Sequence, residues 1–85
     1  MTFDDMMTVE AYVVAVLRDG EPRPPVMRRL DYDRVDIDMS KWPADRRDSF
    51  AGRLRGALSD RHTWDVWFSD GGRDTLCVSE REEAG

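Results

Sequence analysis

The stretch Thr63-Trp64-Asp65-Val66-Trp67-Phe68-Ser69-Asp70-Gly71-Gly72-Arg73-Asp74-Thr75-Leu76-Cys77-Val78-Ser79-Glu80 reads as a β-hairpin. Trp64, Val66 and Phe68 recur at every second position before the Asp-Gly-Gly turn, and Leu76 and Val78 do so after it. That is the period of a strand with one buried face. Opposite residues share a face, so a loop length is judged by the pairs it makes. A two-residue Gly71-Gly72 turn sets Val66 against Cys77 and Trp67 against Leu76, which mixes the apolar sets. A three-residue loop over 70–72 sets Val66 against Leu76 and Trp64 against Val78, and keeps one apolar face. A glycine supplies the left-handed residue that such loops need.

Upstream lies a helix over 43–61. Ser40-Lys41-Trp42-Pro43 leads into it, with Ser40 as a candidate cap and Pro43 in the tolerated first turn. Phe50, Leu54, Ala57 and Leu58 follow the helical period and form its core stripe. Gly52 and Gly56 lie on the opposite face with Ser49 and Ser59, a smooth strip that another backbone can approach. Before the helix, Val26 to Met39 is extended. Its apolar parity changes between Asp33 and Arg34: Leu30 and Tyr32 are even, Val35, Ile37 and Met39 odd. A β-bulge there restores one apolar face and gathers Asp31, Asp33, Asp36 and Asp38 on the other. A tight turn near 32–34 is the alternative, giving two short strands. Asp19 to Pro25, with three prolines among its last four residues, is a connecting loop.

Thr8 to Arg18 is valine-rich and reads as the first strand, with Val9, Ala11, Val13, Ala15 and Leu17 on one face and Tyr12, Val14 and Val16 on the other. A helix ending near Gly20 is the alternative. The predicted architecture is α+β over 1–85 as one domain: β-hairpin, single helix, β-hairpin, with the helix on one face of a four-stranded antiparallel sheet. Residues 1–7 and 81–85 are expected as loose ends. One helix covers one sheet face, so Tyr12, Val14, Val16 and Trp67 on the other call for a cover. Either the N-terminal segment with Phe3, Met6 and Met7 folds over them or a second chain does.

Composition narrows function. The 85 residues are 40% hydrophobic and 36% charged, a globular mix. The longest apolar run, Ala11–Leu17, is seven residues and too short to span a bilayer. The opening Met1-Thr2-Phe3-Asp4-Asp5 lacks the basic start of a signal peptide, and the single Cys77 forms no internal disulfide. A cytoplasmic protein is expected. The net charge of −5 is uneven: residues 41–61 hold six basic and three acidic residues, while both ends are acidic. Net acidity argues against general nucleic-acid binding, although Arg46, Arg53, Arg55 and Arg61 on the helix keep a nucleic-acid-binding module as the alternative.

Catalytic motifs are sparse. His62 and Cys77 are single, five serines lie outside any Gly-x-Ser-x-Gly elbow, and Lys41 is the one lysine. The spaced carboxylates from Asp31 resemble a calcium loop but carry Asp36 where glycine is needed and Trp42 where glutamate is needed. Neither a metal nor an organic cofactor is expected, and the chain is read as non-catalytic. On the bulged strand the four aspartates sit about 6.6 Å apart. Such a line of negative charge stands in for phosphates on a basic surface. Asp31, Asp33, Asp36 and Asp38, with Tyr12 and Trp67 as anchors, are therefore the predicted partner-binding residues of a small acidic regulator or inhibitor. Its partner is a protein, in particular a basic nucleic-acid-binding one, and homodimerisation is a further expectation. Twelve arginines against one lysine, with neither Asn nor Gln, point to a GC-rich bacterial or phage genome. By analogy of size and acidity, the sharpest form of the reading is an anti-CRISPR-like inhibitor of a host nucleic-acid-binding complex.

Overall fold

Thr2 starts the first element. Its hydroxyl accepts the Asp5 backbone N–H at 3.1 Å, and the Asp5 carboxylate accepts the Thr2 N–H at 2.9 Å. This reciprocal box satisfies two N–H groups that a helix start otherwise leaves unpaired. The computed structural model describes residues 1–69 and 73–80, and helix α1 follows this cap from Phe3 to Val16. The strand expected over Thr8–Arg18 is thus a helix. Val9 and Val13 are buried one turn apart, and Met6, Tyr12 and Val16 pack beside them. The helical penalty of a valine is below about 1 kcal/mol, so a cap and a buried stripe override it. The N-terminal residues expected to be loose are built in: Met1 is buried and its amino group pairs with Asp33. Residues 81–85, the expected tail, lie outside the described residues.

The second extended segment is a hairpin, not a bulged strand. Strands β1 (Val26–Arg29) and β2 (Arg34–Asp38) pair antiparallel, with Val26 opposite Ile37 and Arg29 opposite Arg34. Asp33 closes the turn at φ 49°, a left-handed conformation that aspartate tolerates. The parity change arises because the chain reverses, so the alternation restarts. Helix α2 (Ala44–Ser59) follows, with Pro43 at the cap position and no side-chain cap. Strands β3 (Trp64–Phe68) and β4 (Thr75–Glu80) form the last hairpin. Val66 faces Val78, and Phe68 faces Leu76. The expected register is thus shifted by two residues; the loop tip over 70–72 lies outside the described residues. A shift of two preserves which side chains share a face.

The four strands form one antiparallel sheet in the order β1-β2-β4-β3. The α+β class is as the hairpin and helix patterns predict, but among the described residues two helices rather than one cover the sheet. Both pack on the face of Val35, Ile37, Val66, Leu76 and Val78, where Phe50, Leu54 and Leu58 of α2 complete the core. No helix among the described residues is long and apolar enough to cross a membrane.

Arg53 ties α2 to the loop after α1. It donates to the Val16 carbonyl at 2.5 Å and to both Glu21 carboxylate oxygens at 2.9 and 2.7 Å. The Arg53 hydrogen bonds hold the Glu21 carboxyl below its ordinary 4.5 against the opposing effect of burial. A carboxyl with a lowered folded pKa contributes stability above its unfolded pKa, and that contribution is lost as pH falls through the folded value. Unfolding free energy is therefore expected to decline below about pH 4.5, with a shallower decline in Glu21→Gln. Urea titrations at several pH values check this, and equal declines in the two proteins would refute the role of Glu21.

Candidate functional site

Alternation along the strands sends a second set of side chains to the face away from the helices. One row across the sheet is Arg29, Arg34, Ser79 and Asp65; the next is Met27, Asp36, Cys77 and Trp67. Among the described residues no helix covers this face. Long side chains cover its centre instead. The Asp36 carboxylate is buried beneath two guanidinium groups, Arg34 at 2.8 Å and Arg29 at 3.6 Å. Arg34 in turn lies 4.7 Å from the Tyr32 ring centroid and 5.3 Å from that of Trp67. Cation–π attraction on two rings and an ion pair below hold this guanidinium in one place. The Trp67 indole N–H donates to the Ser79 hydroxyl at 3.1 Å.

The Tyr32, Arg34 and Trp67 side chains line an open groove of about 760 Å³, with Asp33, Asp65 and Glu80 at its edges. Trp67 keeps 37% of its surface exposed and Tyr32 61%. A smaller hollow of about 250 Å³ beside Met27 and Arg29 continues the same face. Arg34 is ion-paired with Asp36 and Asp33 with the Met1 amino group, so both charges are committed within the chain.

The predicted acidic stripe does not form. Asp31 and Asp33 are in the β1–β2 turn, where Asp33 pairs with the Met1 amino group. Asp36 is buried in its ion pairs. Asp38 turns back on the chain: the side chain and then the backbone N–H of Ser40 hold its carboxyl below the usual range. The stripe required a bulge, and the hairpin removes it. Tyr12 and Trp67 are also separated. Tyr12 packs on the helix side, edge-on to His62 at 5.9 Å, and only Trp67 reaches the groove.

The arginines of α2 are dispersed in their tasks. Arg46 and Arg61 are exposed near opposite ends of the helix. Arg53 is committed to Glu21, and Arg55 donates to the Val66 carbonyl at 2.9 Å. Ser69 bonding to Thr75 makes odd positions of β3 the hydrogen-bonded ones, so Val66 presents its carbonyl to the free edge. Arg55 thus blunts an edge strand. Gly52 and Gly56 are exposed with no atom within 4 Å of a built side-chain carbon, so no backbone of the described chain approaches them.

The single Cys77 is fully buried. Burial, and then the neighbouring Asp36, push its thiol up to about 11, the reverse of an activated nucleophile. His62 stacks on Trp64 with ring centroids 4.1 Å apart. Among the described residues no three His, Cys, Asp or Glu side chains converge as a metal site. Sequence reasoning missed Tyr32 and Arg34. The signal was the Tyr32-Asp33-Arg34 spacing around a turn, which folds an aromatic ring over the first residue of the next strand. No family model matches the chain, and neither the curated proteins nor the solved structures give a match.

Proposed function

We propose that this chain is a small acidic, non-catalytic protein-binding module, a regulator or inhibitor, that engages its partner through the uncovered sheet face. The observation that carries this reading is the groove around Trp67. A half-exposed indole beside Tyr32, held by Arg34 and edged by carboxylates, has the aromatic anchor and polar rim of a protein interface. The buried, raised thiol of Cys77 favours a role without covalent chemistry. The exposed Glu80 of the groove and the net charge of −5 favour a basic partner surface, of the kind nucleic-acid-binding proteins carry. An inhibitor that occupies such a surface, anti-CRISPR-like in mode, is the specific form of the proposal.

The test is affinity capture from a host extract with wild type, Trp67→Ala and Glu80→Lys side by side, each checked for an unchanged melting curve. A basic protein retained by wild type and lost from both variants supports the reading. Equal capture by all three overturns the groove as the contact. Saturable binding of DNA or RNA at low salt by the isolated chain overturns the partner class.

A further inference from the structure

Helix α1 carries apolar side chains on its outer as well as its inner face. Val9 and Val13 are buried, and Met6, Tyr12 and Val16 pack on the core. Phe3, Met7 and Val14 face outward at 56%, 55% and 46% exposure, with exposed Ala11 among them. The spacing i, i+4, i+8, i+11 places these four in one stripe about 16 Å long. A contiguous outward apolar stripe marks a contact surface. We propose that this stripe is a self-association surface, on which α1 of a second copy packs antiparallel about a two-fold axis.

The charge along α1 selects a second copy. Asp4 and Asp5 occupy the first turn, and exposed Arg18 lies just beyond the C-terminal end. The remaining acid of the helix, Glu10, is paired with Arg23 at 2.7 Å. An antiparallel copy brings each acidic turn toward the other copy's Arg18 and opposes the helix dipoles favourably. A two-fold contact must be self-complementary, and this pattern satisfies both ends at once. The register that sets Met7 of each copy against Val14 of the other places Ala11 beside the axis, where a small side chain lets the helices approach. None of these residues lines the Trp67 groove, so the surface stands apart from the proposed partner contact. One helix pair buries less than the roughly 1,200–2,000 Å² of a stable interface, so the dimer is reversible and concentration-dependent.

Sedimentation equilibrium of the full chain over a concentration series tests this. Wild type is expected to show a monomer–dimer equilibrium. Met7→Glu weakens it by at least about tenfold, and Arg18→Glu weakens it without removing apolar surface of the stripe. Asp4→Arg combined with Arg18→Glu restores it. These positions are exposed, so the circular dichroism spectrum stays that of wild type; should Met7→Glu misfold, Ala11→Arg makes the same test at the axis. A monomer at every concentration overturns the proposal. So does a dimer unaffected by Met7→Glu, or one broken by Trp67→Ala, which places the contact on the sheet face.

Discussion

Replacing Arg47 by methionine is expected to destabilise the fold by about 3–4 kcal/mol, the largest effect expected of a charged side chain among the described residues. The side chain is only 10% exposed. Its Nε donates to the Trp42 carbonyl at 2.9 Å and one terminal nitrogen to the Ser40 carbonyl at 3.2 Å. The other reaches the Arg73 carbonyl at 3.3 Å and the Asp74 carboxylate at 3.0 Å. One guanidinium thus extends the contact between the β2–α2 connection and the segment before β4 beyond the last backbone bond of the β2–β4 ladder, where the Met39 N–H donates to the Asp74 carbonyl. Methionine fills much of the same volume but leaves the buried Trp42 carbonyl without this donor, and a buried acceptor left unpaired costs more than the bond contributes. For a domain of this size the melting temperature should fall by roughly 15–20 °C. Arg47→Lys recovers little, since an ammonium cannot span the fork. Thermal unfolding followed by circular dichroism checks both variants, and a loss below about 1 kcal/mol would refute the account.

The second large effect concerns the ion pair under the groove. Arg34→Ala is expected to destabilise the fold by about 2–3 kcal/mol, because Asp36 stays buried with only the more distant Arg29. Asp36 has a side-chain exposure of 6% and Arg34 of 17%, so water repairs little of the loss. Converting both partners tells a different story. Arg34→Met with Asp36→Leu should lie within about 1 kcal/mol of wild type, since a buried pair exchanged for apolar side chains is often nearly neutral. The double variant nevertheless lacks the guanidinium that holds Tyr32 and Trp67 at fixed positions. It is therefore expected to stay folded and lose partner binding, which separates stability from function at one site. A double-mutant cycle by urea unfolding measures the coupling. Additive losses from the two single changes would show that the pair does not act as a unit.

The last hairpin was legible because its signal is local. Trp64, Val66, Phe68, Leu76 and Val78 alternate on either side of Asp-Gly-Gly, and the faces they share survive a register shift of two. The α2 stripe was legible for the same reason: Phe50, Leu54 and Leu58 repeat at the helical period and are buried. Ala57 is only half-buried, while Ala51 and Arg47 join the core side. An arginine on a buried face is invisible to a hydrophobic pattern, since its acceptors are carbonyls from distant segments.

The first helix was misread because strand propensity and helical period compete in Thr8–Arg18. The deciding signal lay outside that window, in the Thr2–Asp5 cap. Of the candidate site, Trp67 was named from its parity alone, and the groove does contain it. Asp36 was named for the wrong reason, as a solvated charge.

The amino-acid sequence by itself determined the class of the fold, the last hairpin, the second helix and the acidic character of the surface. These follow from periods of two and 3.6 residues and from turn residues, which act over a few positions. Tertiary structure alone decided that both helices share one sheet face, that the aspartates part company at a turn, and that Arg34 is clamped between Tyr32 and Trp67. Each of these depends on residues distant in sequence meeting in space. A bulge and a hairpin explain the same change of parity, and the pairing of β1 with β2 chooses between them.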